Sequence, residues 1–400
     1  MRILQLCHKP PLPATDGGCM AMHAVTKGLQ QLGYEVNIIS LHTKKHPFRE
    51  NELSEEYLTA TQLKDVYVDT EVNWVEAYSS LITRDSYNLS RFFTPDFDIE
   101  LTKVLKKEVY DIVHLESLFM CPYIETIRKY CDSKIVLRAH NIEYKLWQRR
   151  AKNEKNFLKG KYKSYLSNEL KKYEVHFFGL VDGIASITDQ DLSEIQSLGI
   201  ETPIVTIPFG LNLEAFQQED SQLEENSVFH IGSMDWDPNI EGLEWFLNGV
   251  MPALKKKNAD INFYLAGKKS IELQENKKFN EATIVGEVPS SIDFINSKDI
   301  MVVPLQSAGG MRIKIVEGMA LGKPIVTTSI GAEGIEAEDG KHLLIANNEE
   351  EYIDAILKLR SDSAFKKRIS ANAKQLIQDK YDRKKIIKKL ASFYQTLLSE

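Results

Sequence analysis

The chain has 400 residues, too many for one ordinary hydrophobic core, so two domains of about 200 residues each are expected. Its 43% hydrophobic and 27% charged residues are those of a globular protein, and a net charge of -7 argues against a nucleic-acid binder, whose surface must be basic. No run of about 18 apolar residues suggests a spanning helix, and the apolar run after Met1 is too short for a signal peptide. Cys7, Cys19, Cys121 and Cys131 show no metal or redox spacing and read as free cytosolic thiols. A cytoplasmic location is expected.

Arg2 to Cys7 reads as a short buried strand. Three prolines then open a loop that ends at Asp16-Gly17-Gly18, and Met20 to Leu32 follows at helical spacing. Glu35 to Leu41 is the next strand. This βαβ unit implies a parallel sheet. Asp111–Leu115, Ile135–Arg138, Gly183–Ile187 and Val205–Pro208 read as further strands. The stretch from Leu213 to Ser227 is rich in Gln, Glu, Asp and Asn and reads as a linker. A second α/β series begins at Val228, with a helix over Ile240–Leu254 and strands at Ile261–Gly267, Ala282–Gly286, Ile300–Val303 and Ile325–Thr328. Surface helices are expected over Glu349–Leu359 and Ala364–Ile377. An amphipathic one is expected over Lys384–Leu398.

Between Lys145 and Lys172 the charge balance reverses. Arg149, Arg150, Lys152, Lys155, Lys159, Lys161, Lys163 and Lys171 interleave with Leu146, Trp147, Phe157, Leu158, Tyr162 and Tyr165. A solvated helix face and a peripheral contact with an anionic membrane are both open readings.

The segment from Val303 to Val326 reads as strand, glycine loop, helix, Gly-Lys-Pro turn and strand. Glycines bring main-chain amides to a helix start, which is an anion site. Arg312 and Lys314 add two cations there, suited to a diphosphate as planar fork and point charge. Glu317, one turn on, suits the vicinal hydroxyls of a ribose. The bland alternative is a surface pair between Lys314 and Glu317 worth about 0.3 kcal/mol. His140 stands at the C-terminal end of a strand, where ligands of such sheets bind. Glu143 either orients a ligand or caps a helix. Asp235-Trp236-Asp237 is formally a metal motif, but its setting favours helix capping.

The block Gly309 to Val326 resembles the retaining glycosyltransferases of family 4, which have the GT-B fold. The resemblance continues in order through the loop at Gly17 and Gly18, Arg138–Tyr144, Ile207–Asn212, Ile231–Asn239 and Gly331–Ile335. The family keeps a pair of glutamates eight positions apart. Glu317 matches the second, which binds ribose, whereas the first falls on Gly309. The closest branches carry Gly-Gly-x-Arg-x-Lys in this loop.

The resemblance implies an α/β GT-B fold of two Rossmann-like doubly wound domains facing a cleft. Residues 1–208 would bind the acceptor, 209–227 would link, 228–380 would bind a nucleotide sugar, and 381–400 would return to the N-terminal domain. It implies catalytic roles for His140, Arg312 and Lys314. Donor contacts are implied for Gly17, Gly18, Ser233, Asn239, Gly309, Gly310, Met311, Glu317 and Glu333. The donor would be a nucleotide-diphosphate sugar, and the acceptor a saccharide or a lipid-linked one, in cell-surface polysaccharide synthesis. No metal or other cofactor and no nucleic acid is implied. A nucleotide-sugar 2-epimerase and a catalytically silent nucleotide-sugar binding module are the alternatives.

Overall fold

The computed structural model describes residues 1–69, 92–154, 156–216, 222–257, 261–307 and 310–399. The chain divides into two units. Unit 1 is Met1–Gly210 with Lys384–Glu400, and unit 2 is Leu211–Arg383.

Unit 1 carries β1 (Arg2–Cys7), β2 (Glu35–His42), β3 (Lys64–Tyr67), β4 (Ile112–Glu116), β5 (Lys134–Ala139), β6 (Gly183–Ser186) and β7 (Ile204–Thr206). They form a parallel sheet in the order β3-β2-β1-β4-β5-β6-β7. The central strands are buried on both faces, as parallel sheets require. Leu4, Leu6, Val113, Leu115, Ile135 and Leu137 face one core. On the opposite face Ile3, Ile112 and Val136 lie under Ile386, Leu390, Tyr394 and Leu397 of the helix Arg383–Ser399. Further along that face the side chains turn polar: Gln5, His114, Arg138 and Glu116, all buried.

Unit 2 carries β8 (Glu224–Ile231), β9 (Asn262–Ala266), β10 (Ala282–Gly286), β11 (Lys298–Val303), β12 (Ile325–Thr327) and β13 (Leu344–Ile345). Its parallel sheet runs β10-β9-β8-β11-β12-β13. Two boundaries differ from expectation. The strand expected at Val228 starts at Glu224, where Glu224 pairs with Lys298 at the start of the neighbouring strand β11. The helix expected from Ile240 starts at Asp237 and runs to Lys256 through one wide turn over Phe246–Val250. Pro252, which has no N–H to give to a regular turn, follows directly.

The helix expected from Met20 begins at Gly17. Asp16 accepts from Cys19 N at 2.9 Å and caps it, so both glycines are first-turn residues rather than a loop. The first helix of the basic stretch, Glu143–Lys152, is capped from outside it. Main-chain N–H groups of Glu143 and Tyr144 donate to the Glu174 carboxylate at 2.9 and 3.0 Å. Glu174 lies on the second helix, Phe157–Phe178. Among the described residues no helix is long and apolar enough to cross a membrane.

Candidate functional site

In unit 1 the sheet order reverses between β1 and β4, the position where open α/β sheets take ligands at their C-terminal strand ends. Three adjacent strand ends bring together His8 after β1, Glu116 and Ser117 at the end of β4, and His140 after β5. Glu116 is fully buried. Its Oε1 accepts from Gln5 Nε2 at 2.7 Å, and its Oε2 lies 2.6 Å from His140 Nε2 and 3.5 Å from Arg138 Nη1. Thr26 Oγ1 donates to Gln5 Oε1 at 2.6 Å and fixes that amide. His114 Nε2 lies 3.3 Å from Oε1, and its Nδ1 lies 2.6 Å from the Tyr394 hydroxyl. Burial alone would raise the Glu116 carboxyl, but Arg138, His114 and His140 hold it well below the usual range. The His8 and His140 rings stand edge to face, 6.0 Å apart.

Gly17 and Gly18 open the helix that Asp16 caps. Lys9 Nζ binds both Asp16 oxygens at 2.6 and 2.7 Å, and a Cβ at Gly18 would meet that ammonium at 2.8 Å. The small residue makes room for Lys9. Among the described residues, Asp16, Cys19 and His46 form the one group of three candidate metal ligands, their ligand atoms within 4.8 Å of one another. The Lys9 ammonium already neutralises its carboxylate.

In unit 2 the order reverses between β8 and β11. The helix Ile313–Ala320 begins just beyond β11, with Arg312 at its N-cap and no side chain capping it. Ile315 N–H already bonds Arg312 O at 2.9 Å, which leaves the first-turn N–H groups of Ile313 and Lys314 without a partner among the described residues. Lys314 Nζ donates to His230 Nε2 at 3.1 Å and to Asn239 Oδ1 at 3.0 Å. His230 can accept there because its Nδ1 donates to Val302 O at 2.9 Å. Burial, then Lys314, hold this imidazole well below its ordinary value and neutral. A Cβ at Gly232 would collide with the Lys314 ammonium, so the glycine that follows β8 makes room for it. Two of the three ammonium N–H groups are thus committed, and one is left. Burial and then Arg312 lower Lys314 to about 7. Burial raises Glu317 to about 7, against the pull of Lys314. The Glu317 carboxylate has no hydrogen bond or ion pair among the described residues, so the surface pair with Lys314 is not formed.

The other expected residues divide clearly. Arg312 is buried, donates to Ile330 O at 3.2 Å and lies 3.9 Å from the Glu333 carboxylate. Glu333 therefore faces Arg312, its opposite charge. Asn239 is buried and spent on the protein, holding Lys314 with Oδ1 and donating from Nδ2 to Ser233 O at 2.8 Å. Ser233 Oγ donates to Asp235, whose carboxylate also lies 3.4 Å from Lys268. Asp235 does not cap the helix from Asp237, whose N-cap is Trp236 without a side-chain bond. Gly310, at φ +76°, and Met311 lead into the helix, while Gly309 lies outside the described residues. Glu143 is the first residue of its helix, and burial raises its carboxyl to about 7. Sequence reasoning missed Glu116 and His230. The signal was a polar residue inside strands that should be wholly apolar.

A family model described as Glycosyltransferase Family 4 matches residues 16–215, half of the chain. The chain belongs to glycosyltransferase family 4. A second model, Glycosyl transferases group 1, matches residues 225–362 of this family 4 chain. The chain is 25% identical over 389 residues to an uncharacterized 44.6 kDa protein in the cps region of Klebsiella pneumoniae, covering 94% of this chain and 95% of that one. Sucrose-phosphate synthase of Thermosynechococcus elongatus superposes with a TM-score of 0.71 at 13% identity, over all of both chains. HepE of Anabaena, in complex with UDP, gives 0.70 at 11% identity, over 99% of this chain and all of that one. At these identities the likeness is one of fold, and the two Rossmann-like units of this family 4 glycosyltransferase are those of the GT-B class.

Proposed function

We propose that this glycosyltransferase moves a sugar from a nucleotide-diphosphate donor to a saccharide or lipid-linked acceptor, with retention of anomeric configuration. The observation that carries this is the pair Lys314 and Glu317. Both are driven towards neutrality by burial, they form no ion pair with each other, and they share one turn of an uncapped helix. A diphosphate gives Lys314 and the helix N–H groups their anion. A ribose gives Glu317 two hydroxyl donors. Arg312, braced by Glu333, adds a second cation. The acceptor oxygen bonds to the anomeric carbon on the face from which the diphosphate leaves, and a leaving phosphate oxygen takes the acceptor proton. Charge builds on the diphosphate as the C–O bond breaks, so these cations act where charge develops.

A UDP-sugar is the first donor to test, since the HepE structure holds UDP. The relative from a cps region supports a role in cell-surface polysaccharide synthesis. Arg312→Ala and Lys314→Ala are each expected to lower transfer turnover by about 10²–10³-fold. Unchanged turnover in both variants overturns the donor site. Conversion of donor to an epimer without any acceptor overturns transfer.

We further propose that the basic helices of unit 1 rest on an anionic membrane surface, which brings the enzyme to a lipid-linked acceptor. The segment 143–178 holds ten lysines and arginines against four glutamates in an otherwise acidic chain. Phe157 and Leu158 stand 71% and 75% exposed within it.

A further inference from the structure

Two atoms of one residue govern the imidazoles of His8 and His140 in the unit 1 cluster. The Glu116 carboxylate is ionised and can only accept, so the nitrogen 2.6 Å from it, His140 Nε2, must carry the hydrogen. The Glu116 main-chain carbonyl can also only accept. It lies 2.7 Å from His8 Nδ1, which must therefore carry the hydrogen of that ring. Ser117 Oγ, 3.1 Å away, completes the seat of His8. Ser117 itself is held at φ +99°, a strained conformation for a residue with a side chain, and strain of this kind gathers at functional sites.

The opposite nitrogens are then settled. His8 Nε2 and His140 Nδ1 each keep a lone pair, and neither makes a hydrogen bond among the described residues. Burial keeps both rings neutral, with His8 lowered to about 3 and His140 lowered in spite of Glu116. A lone pair of this kind receives an O–H group and repels a phosphate oxygen. A buried carboxylate with a buried guanidinium is also a costly way to fill a core, which apolar residues of similar volume would fill at least as well.

We propose that Glu116 is a positioning residue that fixes His8 and His140 as paired hydrogen-bond acceptors for the hydroxyl groups of a saccharide. The source of those hydroxyls rests on the glycosyltransferase function proposed above; the state of the two rings does not. Glu116 orders His140 through its side chain and His8 through its main chain, so side-chain replacement separates the two.

The test is long-range proton–nitrogen spectroscopy of the histidines in the full-length, unliganded protein at pH 7. The expected spectrum has His140 protonated on Nε2 alone and His8 on Nδ1 alone. Glu116→Gln offers His140 an amide that donates as well as accepts. His140 should then lose its single tautomer while His8 keeps its own, and transfer turnover should fall about 10- to 100-fold, the usual effect of removing the orienting partner of a functional histidine in metal sites. Glu116→Asp, which keeps the charge, should restore the His140 tautomer and part of the turnover. A wild-type His140 carrying its hydrogen on Nδ1, or on both nitrogens, overturns the proposal even in an active transferase. So does a Glu116→Gln protein whose His140 tautomer is unchanged. If that variant does not fold, the wild-type spectrum alone decides. Because the rings are read without substrate, failure to find transfer leaves this result standing.

Discussion

Lys314 and Glu317 stand one helical turn apart, each near pKa 7 for the same reason, loss of water around a charge. At the proposed donor site a phosphate beside Lys314 would restore the ammonium, so donor binding would take up a proton there. Ribose hydroxyls donating to Glu317 favour the carboxylate, so the same event releases one. The two offset each other near neutrality in the native protein. Glu317→Gln removes the release and exposes the uptake. Lys314 has a lowered value in the free protein, and a bound phosphate would raise it. Affinity of the variant for a UDP-sugar is therefore fully present below about pH 7 and falls as pH rises above it, by up to about tenfold per unit. Titration calorimetry in buffers of different ionisation enthalpy reads both quantities. A variant whose affinity does not change from pH 6 to 8.5 refutes the assignment. Arg312, Lys314 and Glu317 were legible because one helix start carries all three. Glu116 and His230 were not, since their partners His140 and Lys314 lie 24 and 84 residues away. Strand alternation does place His114 and Glu116 on one face of β4. Only the neighbouring strands show that Gln5 and Arg138 share that face.

The helix Phe157–Phe178 is apolar on two sides, for which its sequence left both a solvated face and a membrane contact open. Ser167, Leu170 and Glu174 are buried on the inner side. Phe157, Leu158, Tyr162 and Tyr165 fall on the opposite side by helical spacing, all exposed, with the Lys161 ammonium 4.7 Å above the Phe157 ring. Apolar tips ringed by lysines match a bilayer whose headgroups are anionic, because lysine stems lie along apolar surface while their ammonium groups stay wet. The protein is expected to cosediment with vesicles of phosphatidylglycerol in phosphatidylcholine, not with phosphatidylcholine alone, and less so as salt rises. A buried Phe or Leu side chain is worth about 1.5–3 kcal/mol, so Phe157→Ser with Leu158→Ser should cut partition at least about tenfold. Equal binding to both vesicle types, or a mass in solution that shows this face joining two copies of the chain, overturns the membrane reading. Most other elements were readable from period and punctuation. Their starts were not: Asp16 caps the first helix three residues early, and Glu174 caps the helix Glu143–Lys152 from a different helix. A distant cap leaves no local pattern.

The chain leaves unit 1 at Gly210, builds unit 2, and comes back at Lys384. The returning helix is part of the core of unit 1. Ile386, Ile387, Leu390, Tyr394 and Leu397 are buried against Ile3, Val25, Ile112, Val136 and Ala185. A Cβ at Gly183 would meet Leu397 at 2.7 Å and Phe393 at 2.8 Å, so β6 starts with the one residue that lets the helix lie this close. The Tyr394 hydroxyl reaches His114, the neighbour of Glu116, and ties the last helix to the buried polar cluster. Unit 2 has a separate core around Val228, Leu243, Phe263, Ile300 and Tyr352. Two cores, with the proposed donor site in unit 2, lead to an expectation for calorimetry. Leu390→Ala should cost about 2–5 kcal/mol, as truncation of a fully buried leucine does. That loss falls on unit 1 alone. On the proposed donor site, UDP should bind the native form of unit 2 and raise its melting point by mass action. The scan should therefore resolve two transitions, one lowered by Leu390→Ala and the other raised by UDP. A single transition moved by both would mean that the units melt together, and that the helix returning to unit 1 stabilises the donor site as well.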